Sequence, residues 1–197
     1  MKIKIGVDVD EVLAAFVESL FNYHNKTRGT NFDKKEIKSN FFSDYVGFTK
    51  EETNLFLEEF FNSNSHVDIL PIIGAVEAIQ QLSDYDLIAI TIRPESWRLQ
   101  TEEWLSKNFK KSFSKLYMLG VEASSEGGIL QSKEELSTEL GLGLFIEDSL
   151  STSKKISEKG IPVILLDKPW NQGELPEKIY RVRSWEGVMA KIKLLML

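Results

Sequence analysis

Two aspartates, Asp8 and Asp10, stand at the end of a short apolar run, Ile3 to Val9, with one residue between them. In an extended segment side chains alternate, so both carboxylates point to the same side. Carboxylates that close repel each other, and something cationic is needed to hold them. The chain has no cysteine and only two histidines, His24 and His66. Oxygen ligands remain, and they favour a hard ion such as magnesium. An aspartate beside such an ion can attack phosphorus. A carboxylate two residues on can protonate the leaving alkoxide and then activate water. For the tripeptide alone, a solvated turn at a strand end is the plainer alternative.

Three further segments bear on that choice. Thr91-Ile92-Arg93-Pro94 ends a second apolar run and offers a hydroxyl, backbone N–H groups and a guanidinium to a phosphoryl group. The same threonine could simply cap the next helix. Glu147-Asp148-Ser149 brings two more carboxylates to another strand end, or an acidic helix start capped by Asp148 or Ser149. Lys133, on a helical pattern, can neutralise a nucleophile and a transferring phosphoryl group, although most lysines sit on solvated faces. All four segments follow in chain order and fall at one edge of one sheet. Their conjunction points to phosphoryl transfer.

The elements that carry them alternate. Strand-like apolar runs fall at 3–9, 87–92, 115–119, 142–146 and 162–166, and helical patterns at 74–82, 95–109, 133–140, 151–159 and 185–195. Continuous apolar strands separated by helices predict an α/β fold, a parallel sheet covered on both faces. Residues 14–66 break the alternation. They are rich in Phe, Asn, Lys and Glu and read as a small helical insertion after the first strand, with Pro71 marking the return to the core. Such an insertion sits over the carboxyl end of the sheet, where open α/β folds bind ligands.

The chain has 197 residues, 42% hydrophobic and 27% charged, which suits one globular core with a modest insertion. No apolar run reaches the roughly 18–20 residues of a membrane span. The start, Met1 to Val7, is too short and too β-like for a signal peptide, so the expectation is a mature chain that begins here. Absence of cysteine fits a cytoplasmic protein. A net charge of −6 argues against binding polymeric nucleic acid. A small anionic substrate remains compatible, because a bound dication reverses the local field.

The sequence resembles the haloacid dehalogenase superfamily of phosphatases. Asp8-Val9-Asp10-Glu11-Val12-Leu13 matches its first motif, Thr91 its second, Lys133 its third and Glu147-Asp148 its fourth. The resemblance implies a Rossmann-like core of residues 1–14 and 67–197 with a helical cap over residues 15–66. It implies Asp8 as nucleophile, Asp10 as general acid and base, and Thr91, Ile92, Arg93 and Lys133 around the phosphate. Magnesium would be held by the Asp8 side chain, the Asp10 backbone carbonyl and the acids Glu147 and Asp148. Which of those last two touches the metal is left open, because close groups often have two aspartates there.

Within the superfamily the chain is similar to the 5′(3′)-deoxyribonucleotidase-like branch. The features are the cap position, Pro71-Ile72-Ile73-Gly74-Ala75, Thr91-Ile92-Arg93-Pro94, and Gly160 to Leu166 followed by Pro169-Trp170-Asn171. This implies nucleoside monophosphates as substrates, with Phe16 in the position of a base-holding aromatic. From the insertion, Phe41 and Phe42 are further candidates for stacking on a base. Glu11 departs from the family's usual glycine and bears on the pocket entrance. The alternatives are a phosphatase of sugar phosphates or other small metabolites, and a non-catalytic binding protein on the same fold. A homodimer is among the arrangements the sequence allows.

Overall fold

The computed structural model describes residues 2–39, 41–120 and 131–196; Met1, Asn40, residues 121–130 and Leu197, which fall within the expected core and insertion, lie outside them. Strands β1 (Lys4–Val7), β2 (Asp86–Pro94), β3 (Phe113–Gly120), β4 (Leu144–Glu147), β5 (Val163–Leu166) and β6 (Ile179–Val182) make one sheet. Their order is β3-β2-β1-β4-β5-β6 and every neighbouring pair is parallel. The chain runs outward from β1 through β2 to β3, then crosses back to lay β4 on the other side of β1. Loops leaving β1 and β4 therefore diverge, and a crevice opens between them. Asp8 follows β1 and Asp148 follows β4, so the topology alone brings these acids together.

Alternation along the strands builds two cores. Ile5, Val7, Leu87, Ala89, Ile146 and Ile164 share one apolar cluster with helices α4 (Ala75–Gln81), α5 (Arg98–Phe109) and α8 (Trp185–Leu195). Ile88, Ile90, Phe145, Val163 and Leu165 face the other way, with Leu136 of α6 (Lys133–Leu140) and Ile156 of α7 (Leu150–Glu158). The first strand is shorter than the apolar run predicts, because the chain turns immediately after Val7. Strand β6 has no counterpart in the sequence reading. It is four residues long at the sheet edge, buried only at Ile179, so it lacks the continuous apolar run of a central strand.

The insertion carries α1 (Phe16–Arg28), α2 (Ser43–Val46) and α3 (Lys50–Asn62). Aromatic rings fill its interior: Phe42 stacks flat on Phe56 at 4.9 Å, and Phe21, Tyr23, His24 and Phe48 close around them. His24 and His66 are both buried. Two indoles anchor the neck. Trp185 Nε1 donates to the Val12 carbonyl where the insertion departs, and Trp104 Nε1 donates to the Ile69 carbonyl where it returns. Between them Ala14 and Pro71 form a bridge, with Ala15 N–H on Leu70 O and Ile72 N–H on Leu13 O.

One register slip matters to the site. Thr91 pairs with Met118 but Pro94 pairs with Gly120, so β2 has one extra residue there, a bulge. The bulge is possible because β3 presents a glycine. A Cβ on Gly120 would lie 2.0 Å from the Ile92 carbonyl oxygen and 2.8 Å from the Arg93 carbonyl carbon. Gly120→Ala should therefore cost about 1–3 kcal/mol through backbone displacement, a fall in Tm of roughly 2–12 °C. Scanning calorimetry measures it, and an unchanged Tm would show that the end of β2 yields without strain.

Candidate active site

The acids converge on a single lysine. Lys133 is the first residue of α6, placed by a capping box in which the Ser132 hydroxyl accepts Glu135 N–H and the Glu135 carboxylate accepts Ser132 N–H. An ammonium at a helix N-terminus opposes the macrodipole, but here carboxylates compensate. Lys133 Nζ lies 2.8 Å from Asp8 Oδ1 and 2.9 Å from Glu147 Oε2, all three groups buried. Carboxylate oxygens of Asp8, Glu147 and Asp148 all lie within 4.8 Å of one another.

Asp10 is held separately. Arg93, carried inward by the bulge, donates from Nη2 to Asp10 Oδ1 at 2.6 Å and from Nε to Oδ2 at 3.0 Å. Its Nη1 donates to Thr101 Oγ1 of α5. The guanidinium lies 5.1 Å from the Phe16 ring centre and 5.5 Å from that of Phe61. These groups open onto a cavity of about 490 Å³. Its far walls come from Phe16 and Val17 of α1, Asn54, Leu57 and Glu58 of α3, Ile92 of β2 and Trp97, and are mainly apolar or neutral.

The model of a family described as "5′ nucleotidase, deoxy (Pyrimidine), cytosolic type C protein" (NT5C) matches residues 1–196. The chain belongs to this family. A nucleotidase of that family is a phosphoric monoester hydrolase, and the fold is the one seen in haloacid dehalogenase-like hydrolases. A nucleotidase of Clostridium acetobutylicum is 24% identical over 191 residues, covering 95% of this chain and 92% of its own. Among solved structures, the haloacid dehalogenase-like hydrolase SP0104 of Streptococcus pneumoniae superposes with a TM-score of 0.66 at 17% identity, over 97% of this chain and 98% of that one. YfnB of Bacillus subtilis, a hydrolase of the same type bound to magnesium, gives 0.63 at 17% identity, over 100% and 99%.

In this NT5C chain Asp8, Asp10, Ile92, Arg93, Lys133, Glu147, Asp148, Phe16 and Phe41 all line the cavity. Two expected residues do not. Thr91 is fully buried beneath it, its hydroxyl accepting the Arg93 N–H. Phe42 points into the aromatic core of the insertion, because its flat stack with Phe56 buries both rings. Arg93 stands at the cavity but is bonded to Asp10 rather than free to meet an anion. Trp97 stacks on Phe61 at 4.0 Å and also lines the wall. Asn54, Leu57 and Glu58 of α3 were not singled out from the sequence, although their i, i+3, i+4 spacing shares one helix face.

Electrostatics at this candidate site are set by burial and by too few cations. Burial, then the charge of Glu147, pushes Asp8 up to about 8 against the pull of Lys133. Burial and then Asp8 push Asp148 up to about 7, with the Trp170 indole N–H opposing. Glu147 is raised by burial too. Burial disfavours the Lys133 ammonium, but Asp8 and Glu147 outweigh it and hold its pKa above the ordinary lysine value. Protein donors engage Oδ1 of Asp8, Oδ2 of Asp148 and both oxygens of Glu147. Oxygen ligands, excess negative charge and no sulfur or imidazole fit a hard dication. An acid whose folded pKa is raised binds more protons folded than unfolded, so its contribution to stability is lost as pH rises. In EDTA the Tm should therefore fall between about pH 4 and pH 8, and saturating magnesium should flatten that slope. Parallel thermal melts test it; a Tm that rises over this range in EDTA would contradict these charge states.

Proposed function

We propose that this protein is a magnesium-dependent nucleotidase that hydrolyses nucleoside monophosphates through an aspartyl-phosphate on Asp8. The observation that carries this reading is the buried Asp8 carboxylate, bonded to Lys133 on one oxygen and clustered with two further acids at the mouth of an apolar cavity. Asp8 attacks phosphorus and the bond to the leaving oxygen breaks, with Asp10 supplying the proton to that oxygen. Water then attacks the aspartyl-phosphate, giving its proton to Asp10 and releasing inorganic phosphate and free Asp8. Lys133 neutralises Asp8 and the phosphoryl oxygens, while Thr91 and the backbone after it support the phosphate from below. For Asp10 to reach the leaving oxygen, one of its two bonds to Arg93 opens and the other keeps its orientation.

Asp8, Asp148 and the Asp10 carbonyl would hold magnesium directly. Glu147 has both oxygens engaged, by Lys133 and by Ser149 N–H, and would act from behind. The ion would supply charge to the phosphoryl oxygens and draw negative charge from Asp8.

The choice of substrate follows from the lining. Among the described residues, Lys133 and Arg93 are the cations lining the cavity, and each is already bonded to carboxylate. Residues 121–130 contain no lysine or arginine. A second phosphate or a carboxylate on the leaving group would meet no spare positive charge. The apolar rings and Leu57 suit a planar base. The helices over residues 16–62 act as a cap that excludes water and contacts the nucleoside. Turnover should need magnesium and stop in EDTA. Asp8→Asn should lower kcat by a factor on the order of 10⁴–10⁶ while leaving the protein folded. In a panel, deoxyuridine monophosphate should exceed glucose 6-phosphate, deoxyuridine diphosphate and phosphoglycolate in kcat/KM. A preference for glucose 6-phosphate would replace the nucleotide reading with a sugar phosphatase, and an active Asp8→Asn protein would remove the covalent mechanism.

A further inference from the structure

The loop between β5 and β6 donates no group to the proposed chemistry, yet it reaches both acidic segments. Asn171, fully buried, gives its amide N–H groups to the Asp148 carbonyl at 2.7 Å and the Leu166 carbonyl at 2.6 Å, and its Oδ1 accepts Lys168 N–H. That fixes the loop on the backbone of Asp148. Trp170 Nε1 then donates to Asp148 Oδ2 at 2.8 Å. Lys168 Nζ stands 5.5 Å from the Trp170 ring centre and 3.1 Å from Glu11 Oε2. The other oxygen of Glu11 accepts Val17 N–H at 2.9 Å, in the first turn of α1. Helix α1 has no capping side chain of its own at Ala15, so Glu11 fills that part from outside.

Glu11 does this from an unfavourable backbone. Its φ is +61°, the left-handed region that glycine occupies freely and other residues avoid. A glycine would relax the turn. The glutamate is retained in that conformation with both carboxylate oxygens bonded and the side chain buried, and strain of this kind persists where the surroundings fix it.

We propose that Trp170 is a positioning residue for Asp148, held by the Lys168–Glu11 pair, so that one brace sets both the cation-binding oxygen of Asp148 and the seat of α1. Tying down Oδ2 fixes the plane of the Asp148 carboxylate, which offers an oxygen within 4.8 Å of oxygens of Asp8 and Glu147, where a dication would lie. Groups that orient metal ligands in this way typically change metal affinity by 10–100-fold when removed. The inference rests on the reading of the site as a magnesium phosphatase.

Trp170→Phe keeps the ring and removes the N–H. By isothermal titration without substrate, its magnesium Kd should rise about 10-fold. The magnesium concentration for half-maximal turnover should rise in parallel, with the lost rate returning as magnesium is raised. Lys168→Gln, at the outer end of the brace, should shift both values in the same direction by less, and it carries the test if Trp170→Phe does not fold. A merely structural tryptophan would lower Tm and leave the magnesium Kd unmoved. A folded Trp170→Phe or Lys168→Gln protein that binds magnesium as tightly as the wild type overturns the brace. A wild-type protein that binds no magnesium overturns the metal reading itself, and the two failures are distinguished in the same titration.

Discussion

Everything at this site depends on one ammonium buried among carboxylates. Lys133 is the sole cation that touches Asp8 and Glu147 among the described residues. Removing either partner from such a cluster leaves an uncompensated buried charge, which is far costlier than an exposed pair. The fold meets that constraint from three directions. The sheet's reversal at β1 and β4 supplies the acids, the capping box at Ser132 fixes the start of α6, and the ring of Phe145 lies 5.7 Å from Lys133 Nζ. One lysine cannot balance three carboxylates, and burial, with that shortfall added to it, raises the pKa values of Asp8 and Asp148.

Sheet topology accounts for the meeting of groups far apart in sequence. Hydrogen bonding of Asp8 N–H to the Ile146 carbonyl continues the β1–β4 ladder one step past β1. The proposed nucleophile is thereby fixed in backbone register with the acids of the neighbouring strand before any side chain is considered. Helix α7 begins at once after those acids, with Ser149 as its cap. The last strand and α8 serve the same centre indirectly. They carry the returning chain to Trp185, whose indole holds Val12 in the acidic turn.

What the sequence revealed is what is local. An apolar run followed by Asp8 and Asp10, and another followed by Glu147 and Asp148, announce their positions because strand and acid are adjacent in the chain. Five strands and the main helices follow from periodicity for the same reason. The bonds that define roles are long-range, and no periodicity carries them. Arg93 meets Asp10 across 83 positions and Trp170 meets Asp148 across 22. A run of phenylalanines likewise does not say which ring is core: Phe42 is, and Phe41 beside it is largely exposed at the cavity. Trp97 likewise meets its partner, Phe61, only because the insertion brings it there.

The pairing of Arg93 with two rings of the insertion joins the proposed cap to the proposed acid. Phe16 belongs to α1 and Phe61 to α3, and both face the guanidinium that grips Asp10. A cation packed against aromatic rings gains most when water is excluded from it. Any movement of α1 and α3 away from the sheet would wet that guanidinium and loosen its hold on the carboxylate. Phe16 is therefore more than a wall of the cavity. The ring proposed to meet the substrate shields the arginine bonded to Asp10, so in the proposed mechanism substrate contact and proton transfer are coupled through one side chain. A change at Phe16 would then affect every ester the enzyme hydrolyses, with an added loss for those whose leaving group rests on the ring.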